Sequence, residues 1–187
     1  MTDTASFATL MRQYQTLCQY CDNVFATTFQ AFQTQMQCAK GCASCCILET
    51  VAPLEAYLIR SYLQSQSSMP VTLPSNQPEQ AQEPCVFLHR NICTIYPVRP
   101  IICRTHGLPL VYPDRSGIDV CPLNFTTFDL RTVDPGFLLD ADRLTQNLMR
   151  LNLAFSILTQ QPAIAGKRIP LHQLLTDAFQ GSGNSSL

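Results

Sequence analysis

Cys38-Ala39-Lys40-Gly41-Cys42-Ala43-Ser44-Cys45-Cys46 places four thiols within nine residues, and the use of those thiols decides how the chain folds. Cys42 and Cys45 form a C-x-x-C clip, a spacing that lets two thiolates reach one ion, and Gly41 permits a tight turn just ahead of it. Cys38 stands four residues before Cys42. Cys45 and Cys46 are neighbours whose side chains diverge, so they are expected to serve different centres. Four more thiols follow in order at Cys85, Cys93, Cys103 and Cys121. Thiolate is a soft, charged donor that suits zinc or iron–sulfur clusters, so these eight residues are candidate metal ligands. Packed core thiols would not need closely repeated, glycine-broken spacing. Ten cysteines in 187 residues, with 46% hydrophobic residues, also differ from a small disulfide-stapled scaffold.

Upstream of this knot, Ser6 to Gln37 contains neither glycine nor proline. Phe7, Leu10, Tyr14, Leu17, Cys18, Cys21, Phe25, Phe29 and Phe32 recur at helical spacing, which predicts one long amphipathic helix ending at the knot, with Asp22-Asn23 a candidate break. Cys18 and Cys21 occupy apolar positions of that helix and read as core. Downstream, a helix is expected from Ala52 to Gln64, with Pro53 in its first turn and Thr50 as a cap. Residues 65–84, rich in Gln, Ser and Pro, read as a flexible surface linker. Two short β-prone runs around His89-Arg90-Asn91 predict a hairpin, and Leu108–Tyr112 with Ile118–Cys121 predict a second. Asp140 is a candidate N-cap for a helix reaching Gln160, and a last helix is expected from Pro170 to Phe179, before a disordered tail at 181–187. The expected fold is mostly α with small β-hairpins, a single domain over 1–187 whose helices pack around a cysteine-rich metal-binding centre.

Composition excludes several classes. A net charge of −1 and a pI near 6.2 argue against a basic, nucleic-acid-coating protein. No apolar run approaches the roughly 20 residues of a membrane span. Neither nucleic acid nor membrane is an expected partner. Met1 to Leu10 lacks a basic segment followed by an apolar stretch, so the expected setting is cytoplasmic, where thiols stay reduced.

Several motifs in order carry a family resemblance: Cys38-x-x-Gly-Cys42-x-x-Cys45-Cys46, Pro84-Cys85-x-Phe87-Leu88, Cys93-x-Ile95-Tyr96, Arg99-Pro100-x-x-Cys103-Arg104, and a late Cys121. Together they resemble the CxxCxxCC, or YkgJ-like, cysteine-cluster family, a zinc- or iron-chelating domain. The resemblance covers about residues 36–125. It implies metal binding and leaves the reaction open. Cys18 and Cys21 lie outside the motif.

A four-thiolate centre carries negative charge, so Arg99 and Arg104 are expected to neutralise it and donate to sulfur. Phe87, Leu88, Ile95 and Tyr96 are expected to exclude solvent, and His106 is a candidate ligand or proton donor weighed against a structural role. The knot at 38–46 is expected to seed two neighbouring sites completed by Cys85, Cys93, Cys103 and Cys121, with metal pinning the hairpins to the end of the first helix. Two function classes follow: iron–sulfur binding with a redox or sensing role, or a zinc-stabilised structural or interaction module without catalysis. A protein partner is compatible with either. A metalloenzyme would draw its acid–base groups from Glu49, Glu55, His106 and Asp119, and no catalytic residue is assigned.

Overall fold

Phe7, Leu10, Tyr14, Cys18 and Cys21 line one stripe of a single long helix, α1 (Thr4–Ala31), in which Leu10, Tyr14, Cys18, Cys21 and Thr28 are buried. The computed structural model describes residues 4–66 and 84–180, so most of the expected linker, and the C-terminal tail, lie outside the described residues. The helix stops at Ala31, short of the expected Gln37. Phe32 and Met36 still donate backward along the chain, but the Gln35 carbonyl accepts from the Phe125 amide at 2.7 Å. Phe125 holds the left-handed conformation, φ +54°, that this bond accompanies.

After the knot, β1 (Thr50–Val51) leads into α2 (Pro53–Ser65). Pro53 occupies the first turn, where its missing amide costs nothing. The cap differs from the expected Thr50: Ala52 is the N-cap, and the Glu55 side chain reaches back to accept its amide at 3.2 Å. β2 (Leu88–His89) and β3 (Ile92–Cys93) form the first hairpin, with Leu88 opposite Cys93. Arg90 and Asn91 both take positive φ, +50° and +60°, as a two-residue hairpin turn of this handedness requires. One further short helix, α3 (Ile101–Thr105), precedes the second hairpin, β4 (Leu110–Val111) and β5 (Ile118–Asp119). β6 (Leu139–Asp140) joins β4 in parallel, and Asp140 then caps α4 (Ala141–Leu158) by accepting the Arg143 amide at 2.8 Å. β7 (Ile169–Pro170) pairs antiparallel with β1 and opens α5 (Leu171–Gln180). Among the described residues, no helix is long and apolar enough to cross a membrane.

Two apolar clusters result. The first joins α1, α2, α3 and α4 through Leu10, Tyr14, Leu54, Ile101, Leu144 and Phe155. The second joins α2, the first hairpin and α5 through Val51, Ile59, Phe87, Ile95, Leu171 and Leu174. Cys38 packs against the first cluster, whereas Cys85 and Cys93 pack against the second. The helices therefore surround the cysteine-rich loops, with thiols reaching toward both cores.

Candidate metal centre

All ten cysteines are free thiols. In the knot, short turns set the spacing: the Cys42 amide donates to the Ala39 carbonyl at 3.0 Å, and the Cys46 amide to Ala43 at 2.9 Å. Gly41 makes the intervening turn with φ +94°. The Cys46 carbonyl then accepts the Cys85 amide at 2.7 Å, a backbone joint between knot and first hairpin.

Electrostatic reach groups several of the eight candidate ligands, although Cys103 also feels Cys45 and so links the two groups. Cys38 feels the thiols of Cys121, Cys42 and Cys45. Cys46 feels those of Cys93, Cys103 and Cys85. Cys45 and Cys46 meet at the seam, where Cys45 hydrogen-bonds to Cys46. That bond draws the Cys46 thiol below its ordinary range and pushes Cys45 above it. Burial pushes Cys103 up to about 12, helped by Cys85 and Cys93. Mutual crowding and burial hold most of these groups in the thiol form until something positive replaces the proton.

Donors aimed at sulfur come from places the spacing alone does not reveal. The Phe87 amide bonds to the Cys85 thiol and the Ile95 amide to Cys93, each two residues on, and both bonds favour thiolate. This gives Cys85-x-Phe87 and Cys93-x-Ile95 a common physical basis. The apolar side chain, 2% exposed in each case, anchors in the second core and turns its own amide toward sulfur. Asn124 does the same for Cys38: its Nδ2 donates to Sγ at 3.2 Å and to the Gly107 carbonyl at 2.8 Å, while Oδ1 accepts the Gln37 amide at 2.8 Å. Gly107 has φ +96°, and a Cβ there would stand 2.6 Å from Cys38 Sγ. Sequence reasoning singled out neither Asn124 nor Gly107. The signal that could have found them is a glycine and a buried-type amide within four residues of ordered cysteines.

The donor set and its hydrogen bonds fit a thiolate-bound metal. Side-chain closure is a separate matter: among the described residues, no three or more His, Cys, Asp or Glu side chains converge closely enough to hold an ion.

The arginines are more committed than expected. Arg99 and Arg104 both donate to Asp22 of α1, at 2.6 and 2.5 Å. Arg104 is buried and also donates to the carbonyls of Arg99 and Pro97, at 3.0 and 3.2 Å. Arg99 favours the Cys93 thiolate, whereas Arg104 acts on Cys18 and Cys21. Cys18 and Cys21 are buried in α1, as the helical spacing implies, and burial raises both, Cys21 to about 12. Tyr96 does not exclude solvent: it is 59% exposed, with the Arg99 guanidinium 4.1 Å above its ring.

Residues 37–118 match the family model CxxCxxCC, described as "Putative zinc- or iron-chelating domain". Over that segment, somewhat less than half of the chain, the sequence is similar to this family. The matched segment contains seven of the eight candidate ligands, Cys38 to Cys103, while Cys121 and Asn124 lie beyond it. No curated protein and no solved structure matches the chain. The family's description names metal chelation and includes zinc and iron alike.

Proposed function

We propose that the chain is an iron–sulfur-binding protein with a redox or sensing role. The supporting observation is the set of free thiols that the fold gathers around Cys45 and Cys46, with Cys38, Cys42 and Cys121 on one side and Cys85, Cys93 and Cys103 on the other. Cys38, Cys42, Cys45 and Cys121 would hold one centre, and Cys46, Cys85, Cys93 and Cys103 the other. A thiolate-held cluster supplies one-electron chemistry whose potential responds to hydrogen bonds on sulfur. This chain's residues do the rest. Phe87, Ile95 and Asn124 donate to sulfur, Arg99 offsets charge near Cys93, and the buried Phe87 and Ile95 keep that side dry. Wide spacing from Cys85 to Cys121 and the adjacent Cys45-Cys46 pair differ from two tidy C-x-x-C clips, which favours clusters over plain zinc sites. Ten free thiols suit a reducing, cytoplasmic setting, and a redox or sensing role implies a protein partner.

The second reading is a zinc-stabilised structural or interaction module, in which the same eight thiolates close two four-coordinate sites and metal binding contributes to folding. Purification without air followed by metal and acid-labile sulfide measurement separates the two. Coloured protein with iron and sulfide in comparable amounts is expected. Colourless protein with zinc and no sulfide overturns the iron–sulfur reading and supports the second.

A further inference from the structure

α1 and α4 pack side by side, and the outward side of that pair carries an apolar surface that no other described element covers. Met149, Leu153 and Ile157, at 64%, 50% and 60% exposure, recur every four residues along α4. Tyr20 of α1 is also exposed, and with Leu17 and Leu151 it lines an open groove of about 360 Å³ between the two helices. Arg150 lines the same groove. Leu153 and Ile157 follow Arg150 by three and seven residues, so all three share one side of α4.

The charge on this face has one sign. Among the described residues no carboxylate lines the groove, and the Arg150 guanidinium makes neither an ion pair nor a hydrogen bond. Arg12, one turn before Thr16 of the groove wall, donates to the neutral Thr9 hydroxyl at 2.9 Å. The neighbouring acids are engaged or distant. Asp22, two residues past Tyr20, holds Arg99 and Arg104. Asp142 lies about 12 Å along α4 from Arg150 and stands next to Arg143. The face therefore presents an unanswered positive charge beside apolar surface, which an anionic group complements.

We infer that this face docks an acidic amphipathic helix of a partner protein, its apolar side on Tyr20, Leu153 and Ile157 and a carboxylate at Arg150. A helix satisfies its own backbone, whereas an extended segment would lay unpaired amides on two helices whose backbone groups are already used. A second copy of the chain would bring the same face, and with it another unpaired Arg150 instead of a carboxylate. An anionic membrane surface is held by a cluster of basic residues, and this face offers two. The inference goes beyond metal binding and holds for either metal.

Three synthetic helices of about 18 residues test it, each with leucine along one face and glutamate, glutamine or lysine on the flanks. They are titrated into the full chain with its native metal. Amide NMR shifts report the site, calorimetry reports the affinity, and metal and sulfide are counted in every sample. The glutamate peptide should bind most tightly and the lysine peptide most weakly, with shifts centred on Tyr20, Arg150 and Leu153. Arg150→Gln should weaken the glutamate peptide about threefold and leave the glutamine peptide unchanged, and Arg150→Glu should put lysine ahead of glutamate. Leu153→Ser, at an exposed position, should weaken all three about fivefold. Absence of binding, equal affinity for the glutamate and lysine peptides, shifts elsewhere on the molecule, or full affinity in Leu153→Ser overturns the inference. A Leu153-dependent dimer of the free chain also overturns it and assigns the face to a second copy. Arg150-dependent sedimentation with phosphatidylserine vesicles overturns it in favour of a membrane. Failure of the iron–sulfur reading, by contrast, would appear in the metal and sulfide count and leave the peptide ranking intact.

Discussion

Gly107 shows how a single residue without a side chain fixes a ligand. It combines a backbone conformation that L-residues avoid with a position where a Cβ would stand 2.6 Å from Cys38 Sγ and 3.1 Å from Asn124 Nδ2. Gly107→Ala adds about 1–2 kcal/mol of left-handed strain and an overpacking cost of about 1–3 kcal/mol. The variant should unfold at least about 2 kcal/mol more easily and carry less metal, measured by urea denaturation and metal analysis. Wild-type values for both would show that the close approach has no weight. Glu55 gives a pH-dependent counterpart. Burial raises its pKa despite the amides of Ile101 and Ala52, so the folded state holds the proton more tightly than the unfolded one. The stability this contributes is fully present below the ordinary carboxylate range and is lost as pH rises through the raised value. Glu55→Gln should therefore flatten that decline. It should also cost about 1–2 kcal/mol overall, because the amide nitrogen turned toward the Ala52 N–H cannot accept from it. Denaturation curves across pH test this, and parallel slopes for the two proteins would count against it.

Among the elements, the first hairpin is flanked by Phe87 and Ile95, each 2% exposed, which anchor it in the second core independently of any metal. The knot at 38–46 has no comparable anchors after Cys38. Cys46→Ser should therefore lose metal and loosen residues 38–46, while α1, α4 and the hairpin keep their circular dichroism and slow hydrogen exchange. Cys18→Ser, inside α1, should keep full metal content. If Cys46→Ser retains the wild-type metal stoichiometry, the division at Cys45-Cys46 is wrong. The helices were legible because their signals are local: periodic apolar residues for α1, Pro53 for α2, Asp140 for α4. Both hairpins were legible from their turns. The β1–β7 and β4–β6 pairings were not, because two-residue strands joined across more than 100 residues and about 28 residues, respectively, leave no local pattern. The thiols stood out as candidate ligands from spacing, whereas Asn124 and Gly107 matter only once the chain has returned to Cys38.

For the whole molecule, the two cores are coupled through the cysteine loops they share. Leu174 is fully buried beside the hairpin anchors. Leu174→Ala should cost about 2–5 kcal/mol. It should also speed metal loss to a chelator, although no ligand lies on α5. Unchanged chelator kinetics in a clearly destabilised variant would mean that the metal region stands apart from the second core.

The same shared core bears on synthesis. Phe87 and Ile95 leave the ribosome well ahead of Leu171 and Leu174, which complete their packing. From Ile95 to Leu171 is 76 residues, or about 4–15 s of translation at typical speeds. During that interval the nascent chain displays several thiols and two unpacked apolar anchors. Metal insertion is therefore expected after release rather than during elongation, and a cell that makes this protein faster than it can shield such intermediates should lose it to aggregation.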